Sequence, residues 1–267
     1  MADGPADIKG QIETAFDGPI CWITFNNSSR MNALNAAMWT ELPKIVADAE
    51  ANSSVRVLVL RGAGDKAFSA GADISEFRTA RTAETAKAYD ALSHGAFTSV
   101  VNCRKPTIAM VHGYCMGGGM ELAMCCDFRY VAEGATFGIP AVRLGIGYDA
   151  RWVRPLLSTL SASQAKEVLL TGRRFTDTEA LHMDIVTKLL PADMLESETR
   201  ALAQLISDNA PLAVQAAKRC VDELVQRPEN PDMAALDRMI QQCLDSEDYA
   251  EGQAAFLEKR KPVFRGK

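Results

Sequence analysis

The chain has 267 residues, 48% of them hydrophobic and 24% charged. These are the proportions of a folded protein rather than a disordered one, with room for one large domain or a core and a smaller appendage. A net charge of −5 argues against a general nucleic-acid surface, while a local basic patch could still bind a polyanionic small molecule. Seven cysteines without a Cys-x-x-Cys pair, and three histidines (His94, His112, His182) without ligand spacing, argue against a disulfide framework and a zinc site. The opening stretch lacks the basic and apolar regions of a signal peptide, and no window holds the roughly 18 apolar residues of a membrane span, so a cytoplasmic protein is expected.

Taken in order, residues 10–16 and 19–25 flank Asp17-Gly18, a strong hairpin signal. A helix is predicted over 36–51 from Met38, Leu42, Ile45 and Val46, with Pro43 implying a kink or a later start. Residues 55–61 read as a buried strand running into a small-residue loop, 62–73. A long helix is expected over 82–102, with Gly95 its weak point. Residues 107–127 begin apolar and partly β-branched, break at Gly117, Gly118 and Gly119, and resume as a helix from Met120: a strand, a glycine turn and a buried helix. Residues 128–132 form another strand and 134–148 an irregular segment. Beyond Arg151 the pattern is helical, at 151–160, 163–171, 177–182, 192–209, 211–226, 233–245 and 248–260. Ser163 and Asp177 are the expected N-caps, and Pro211 opens a first turn.

Two corners point to chemistry. Ser69-Ala-Gly-Ala-Asp73 and Met116-Gly-Gly-Gly-Met120 each end a strand. Together they can turn two backbone N–H groups onto one carbonyl oxygen, although close backbone packing explains either loop taken alone. Neither has the Gly-x-Gly-x-x-Gly spacing of a dinucleotide site. Glu121 falls in a first helical turn, where the dipole alone favours a carboxylate, so it reads as an acid/base group or as a helix-end charge. The basic run near the C-terminus reads first as a solvated helix end.

In order and spacing, Phe68-Ser-Ala-Gly-Ala-Asp73, Lys105-Pro106, the stretch from Gly113 to Asp127, Phe137-Gly-Ile-Pro140 and Glu258-Lys259-Arg260 resemble the enoyl-CoA hydratase/isomerase (crotonase) family. Arg30-Met-Asn-Ala-Leu34 matches the family's N-terminal loop. The resemblance covers nearly the whole chain. It implies an α/β fold, a crotonase-like spiral of ββα units over residues 1–200, followed by a helical region, 201–267, that builds a trimer or a dimer of trimers. It also implies an acyl-CoA thioester as ligand, with no separate cofactor because coenzyme A belongs to the substrate; the composition and spacing above already argue against a metal, nucleic-acid or membrane partner. By position, the N–H groups of Ala72 and Gly118 would hold the thioester oxygen and stabilise an enolate. Ala70, Asp73, Ile74, Ser75, Gly117 and Ala141 are implied as further substrate contacts. Lys259, with Lys261, would suit the coenzyme A phosphates, including those bound by a neighbouring subunit.

The chain departs from the hydratase pattern in one respect. A hydratase of this family uses two glutamates to hold and activate a water. The first matches Glu121, but the second should follow Pro140, where Ala141 stands. Asp149 occupies a position at which dienoyl-CoA isomerases of the family carry a proton-transferring aspartate and 4-chlorobenzoyl-CoA dehalogenases a nucleophile. His94 lies at the dehalogenase spacing from Pro106, yet the expected tryptophan falls on Ala141. Asp149 therefore reads as a partner for Glu121 or as the cap of the helix starting near Arg151. Asp73 and Asp127 read as structural, and His112 as packed between strand and turn. The expected activity is hydration of a 2-enoyl-CoA. The alternatives are isomerisation, dehalogenation and acyl-CoA binding without catalysis.

Overall fold

A computed structural model describes residues 10–76 and 85–267. Its first element is a hairpin of β1 (Gln11–Asp17) and β2 (Ile20–Asn26), paired antiparallel across a turn in which Gly18 has φ 55°. Helix α1 (Ala36–Ala51) begins at Asn35, whose side chain accepts the Met38 N–H at 2.9 Å. It runs through Pro43 without ending there, because Met38, Trp39, Leu42 and Val46 stay buried along one face and packing holds both halves. The buried Lys105 ammonium donates to the carbonyls of Ala49 and Asn52, closing the C-terminus of α1.

Three consecutive strand–strand–helix units follow. They are β3 (Val57–Gly62), β4 (Ala67–Ser69) and α2 (Ala86–Val101); β5 (Thr107–Val111), β6 (Tyr114–Met116) and α3 (Gly118–Cys125); and β7 (Phe128–Ala132), β8 (Thr136–Gly138) and α4 (Ala150–Leu157). In every unit the first strand enters a six-stranded sheet, ordered β1-β2-β3-β5-β7-β10, where β10 is Lys188–Leu190. The second strand enters a four-stranded sheet, β4-β6-β8-β9, where β9 is Phe175–Thr176. Pairing from β2 to β10 is parallel throughout, so the chain advances one strand in each sheet per unit and winds as a spiral.

Alternation along the strands explains the near-continuous apolar runs, since both faces of the large sheet are covered. Cys21, Ile23, Leu58, Leu60, Ala109 and Val111 face the core shared with the small sheet and α1 to α4. Trp22, Val57, Val59, Ile108 and Met110 face the other way and pack with Leu195 and Ala203 of α7 (Leu195–Ser207). The division expected at residue 200 falls inside α7, which covers the outer sheet face on both sides of that position.

Several local expectations need correction. The segment 107–127 holds two strands, not one, because β6 leaves the large sheet for the small one before the glycine turn. Segments 62–73 and 134–148 carry β4 and β8, and the region beyond 151 contributes β9 and β10 rather than helix alone. Ser161 and Thr176, not Ser163 and Asp177, cap α5 (Ala162–Thr171) and α6 (Asp177–His182), each in a reciprocal box with Gln164 or Glu179. The helix start expected at Thr82 lies outside the described residues, and Gly95 sits inside α2 without ending it.

The last helices are α8 (Pro211–Gln226), α9 (Met233–Leu244) and α10 (Glu247–Glu258). Lys218 of α8 is tied at 2.6 Å to Asp127, which also accepts the Thr107 N–H between β5 and β7. Asp127 thus fastens this helical region to the sheet. Buried Asp248 accepts the backbone N–H groups of Arg265 and Gly266 and holds the tail.

Candidate active site

The two glycine-bearing corners meet. Leu34 donates to the Gly71 carbonyl at 2.7 Å and accepts from Asp73 at 2.9 Å, so the 70–73 segment pairs edgewise with the 30–34 loop. That pairing turns the intervening Ala72 N–H away from Leu34. Across from it, Gly117 has φ 52° and ψ −126°, a conformation open to glycine alone, held by its N–H donating to Gly138 O at 2.8 Å. Gly118 then opens α3, and its nitrogen lies 3.2 Å from where a Gly71 Cβ would sit. Among the described residues neither Ala72 N–H nor Gly118 N–H has a protein acceptor. Ala72 and Gly118 therefore present two unpaired donors on adjoining loops, with the Trp39 ring packed behind Gly118. A carbonyl oxygen that gains negative charge is stabilised by such a pair.

One helical turn on, the Glu121 side chain is completely buried. Side chains on a helix lean toward its N-terminus, which directs this carboxylate toward the Gly118 end of α3. Burial pushes its pKa up to about 8, against a lowering by the hydrogen bond from Tyr148. The Tyr148 hydroxyl donates to Oε2 at 2.9 Å, while Oε1 is buried with no partner among the described residues. A buried carboxylate oxygen left unpaired is costly in a folded protein and marks a place where a proton or water is handled. Tyr148 escaped the sequence reading, although it adjoins Asp149 in the segment singled out there.

Asp149 is not paired with Glu121. Its side chain caps α4, accepting the Arg151 N–H at 2.8 Å, and both carboxylate oxygens take the Arg151 guanidinium at 2.9 and 2.6 Å. Those side-chain and backbone hydrogen bonds hold its carboxyl well below the usual range, with His94 a smaller influence. Ala141 stands in a 3-10 turn after Pro140, packed against the core, and brings no carboxylate. Asp73 is buried and bonded to Arg30 and Ser75; despite burial, the bonds from Ser75 and Arg30 hold its carboxyl below its ordinary value. It braces the turn that leaves Ala70, Ile74 and Ser75 exposed along one rim. Lys259 is exposed at the end of α10 in the left-handed conformation, and within the subunit the tail beyond it bonds to Arg56 and Asp248 rather than to the site loops. No group of three His, Cys, Asp or Glu among the described residues could hold a metal ion.

Known proteins resemble this chain in sequence and fold. A family model described as enoyl-CoA hydratase/isomerase matches residues 15–267. The short-chain-enoyl-CoA hydratase of Clostridium acetobutylicum is 33% identical over 92% of this chain and 94% of its own. The crotonyl-CoA hydratase of Syntrophomonas wolfei is 36% identical, over 91% and 93%. The crystal structure of an enoyl-CoA hydratase/carnithine racemase from Magnetospirillum magneticum superposes with a TM-score of 0.92 at 40% identity, covering 96% of each chain. The spiral, the paired loops and matches over nearly the full length lead to one conclusion: the chain belongs to the enoyl-CoA hydratase/isomerase family.

Proposed function

We propose that the protein is a hydro-lyase that adds water reversibly across the 2,3-double bond of a 2-enoyl-CoA thioester. The observation that carries this reading is the unpaired Glu121 Oε1 beside two unpaired backbone donors. With the thioester oxygen on the Ala72 and Gly118 N–H groups, negative charge moves from C3 toward that oxygen. Ionised Glu121 takes a proton from water as the water oxygen bonds to C3, and the carbonyl becomes an enolate held by the two donors. The protonated carboxyl then returns that proton to C2, the C2–H bond forms, and Glu121 is ionised again. One carboxylate thus serves first as base and then as acid, the work two glutamates share in the usual pattern.

Ala70, Ile74, Ser75 and Gly117 line the approach of the acyl-CoA, with Asp73 as their brace. Lys259 meets the coenzyme A phosphates from a neighbouring subunit. No separate cofactor and no nucleic acid is called for. A homo-oligomer is supported by the exposed Phe256 and Leu257 on α10, at 84% and 81%, and by the exposed Val221 and Leu224 on α8. A cytoplasmic location accords with the absence, among the described residues, of a helix long and apolar enough to cross a membrane.

The single carboxylate also favours a second reading, isomerisation, in which Glu121 carries a proton between C4 and C2. Loss of conjugated-enone absorbance with crotonyl-CoA, together with a product heavier by one water, identifies hydration, because isomerisation to the 3-enoyl thioester also removes the conjugation but leaves the mass unchanged. Glu121→Gln is expected to abolish that loss. Asp149→Asn, which keeps a capping side chain, should leave it within about threefold. Full turnover by Glu121→Gln would refute the mechanism.

A further inference from the structure

The second acid/base carboxylate is missing at Ala141, and Asp149 is committed to Arg151. What remains beside Glu121 is a phenol. Resting on the hydratase reading, we propose that Tyr148 is a positioning residue for this reaction: its hydroxyl pins Glu121 Oε2 and leaves Oε1 as the only oxygen presented to water and substrate.

The geometry supports this from three sides. Tyr148 supplies the only hydrogen bond that the Glu121 carboxylate receives among the described residues. Without it the carboxylate would rotate about its terminal torsion between near-equivalent states, since such torsions are broad. The tyrosine itself is held in turn. Its ring packs edge-on against Trp152, with centroids 5.5 Å apart. The Asp149–Arg151 clamp fixes the backbone immediately after it at the start of α4. Asp149 therefore bears on the site through Tyr148, not by meeting the substrate.

The phenol is a permanent donor. Burial, with the neighbouring Glu121 charge, holds its own ionisation well above the ordinary tyrosine value, so it does not itself exchange the reaction's proton. Of the titratable groups on the elements packed against α3, those coupled to Glu121 are Tyr148 and, on α3 itself, Cys125. Burial raises the Cys125 thiol well above its ordinary value, which keeps it neutral. His94 of α2 and Arg151 of α4 act on Asp149 instead. The state of Glu121 is thus set by burial in one direction and by Tyr148 in the other.

Tyr148→Phe preserves the ring against Trp152 and removes only the donor. In hydration Glu121 must be ionised, so kcat/KM rises with pH through its pKa. Loss of a hydrogen bond to a charged group should move that rising limb upward by about one to two pH units. Near pH 7.5 the rate falls by about 10- to 100-fold, and it recovers to within about threefold of the parent above the shifted limb. KM changes little. Tyr148→Gln keeps an N–H donor and should bring the limb back toward the parent's. A Tyr148→Phe profile lowered equally at all pH values, or unchanged, overturns the proposal while leaving the hydratase reading intact. A parent that hydrates no 2-enoyl-CoA overturns the functional reading instead. The titration of Glu121 followed by carbon-13 NMR in parent and Tyr148→Phe then decides whether Tyr148 sets its ionisation: equal values overturn the proposal, and a higher value in the variant supports it.

Discussion

Gly119→Ala tests whether the two loops act as one device. Gly119 sits inside the first turn of α3, where a Cβ would lie 2.7 Å from both Cβ and O of Ser69. Ordinary contact begins near 3.4 Å. The loops bearing Ala72 and Gly118 must therefore part by about 0.7 Å, because Ser69 is held in β4 and cannot swing aside as a long side chain would. A displacement of that size takes one N–H out of hydrogen-bond range of a developing oxyanion, which costs roughly 10²–10³ in kcat. Overpacking costs a further ~1–3 kcal/mol of stability. The assay is steady-state hydration of crotonyl-CoA, with thermal unfolding followed by circular dichroism on the same samples. The expected result is a folded protein, kcat down at least 100-fold and KM raised by much less, because the donors act chiefly in the transition state. A folded Gly119→Ala variant with kcat within threefold of the parent refutes the paired-donor argument.

Two other tests bear on stability and assembly. Glu121 has a folded pKa raised to about 8 from an ordinary 4.5, so its contribution is fully present below the unfolded pKa and is lost as pH rises through the folded one. Urea denaturation should therefore find Glu121→Gln more stable than the parent at pH 9 by up to roughly 5 kcal/mol, and little different at pH 4; equal stabilities at both values contradict the burial argument. Phe256→Glu places a charge on the exposed apolar end of α10. In light scattering it is expected to shift the protein to a smaller assembly, and an unchanged mass would exclude that end from the interface.

Much of the fold is legible residue by residue. The hairpin at Gly18, α1, β5, β7 and α8 follow from signals that act within a few residues: a positive-φ turn, helical spacing, a β-branched run, a proline in a first turn. The short strands are not, because β4, β6, β8 and β9 have only two or three residues each. Their conformation is set by partners far along the chain, and no local periodicity records that. The caps at Ser161 and Thr176 were missed by one or two positions for a related reason, since the reciprocal bond with Gln164 or Glu179 decides which hydroxyl serves.

The site divides in the same way. The sequence alone determined the glycine corners, the carboxylate one turn into α3 and the absence of a second carboxylate at Ala141, because these depend on residue identity and local spacing. Tertiary structure alone decided which group meets Glu121. Asp149 and Tyr148 are neighbours in sequence, yet capping and the Arg151 guanidinium turn one outward, while packing on Trp152 brings the other's hydroxyl to within 2.9 Å of the buried carboxylate. The direction a side chain takes at a helix start depends on which partner lies across the core, and one-dimensional order does not carry that.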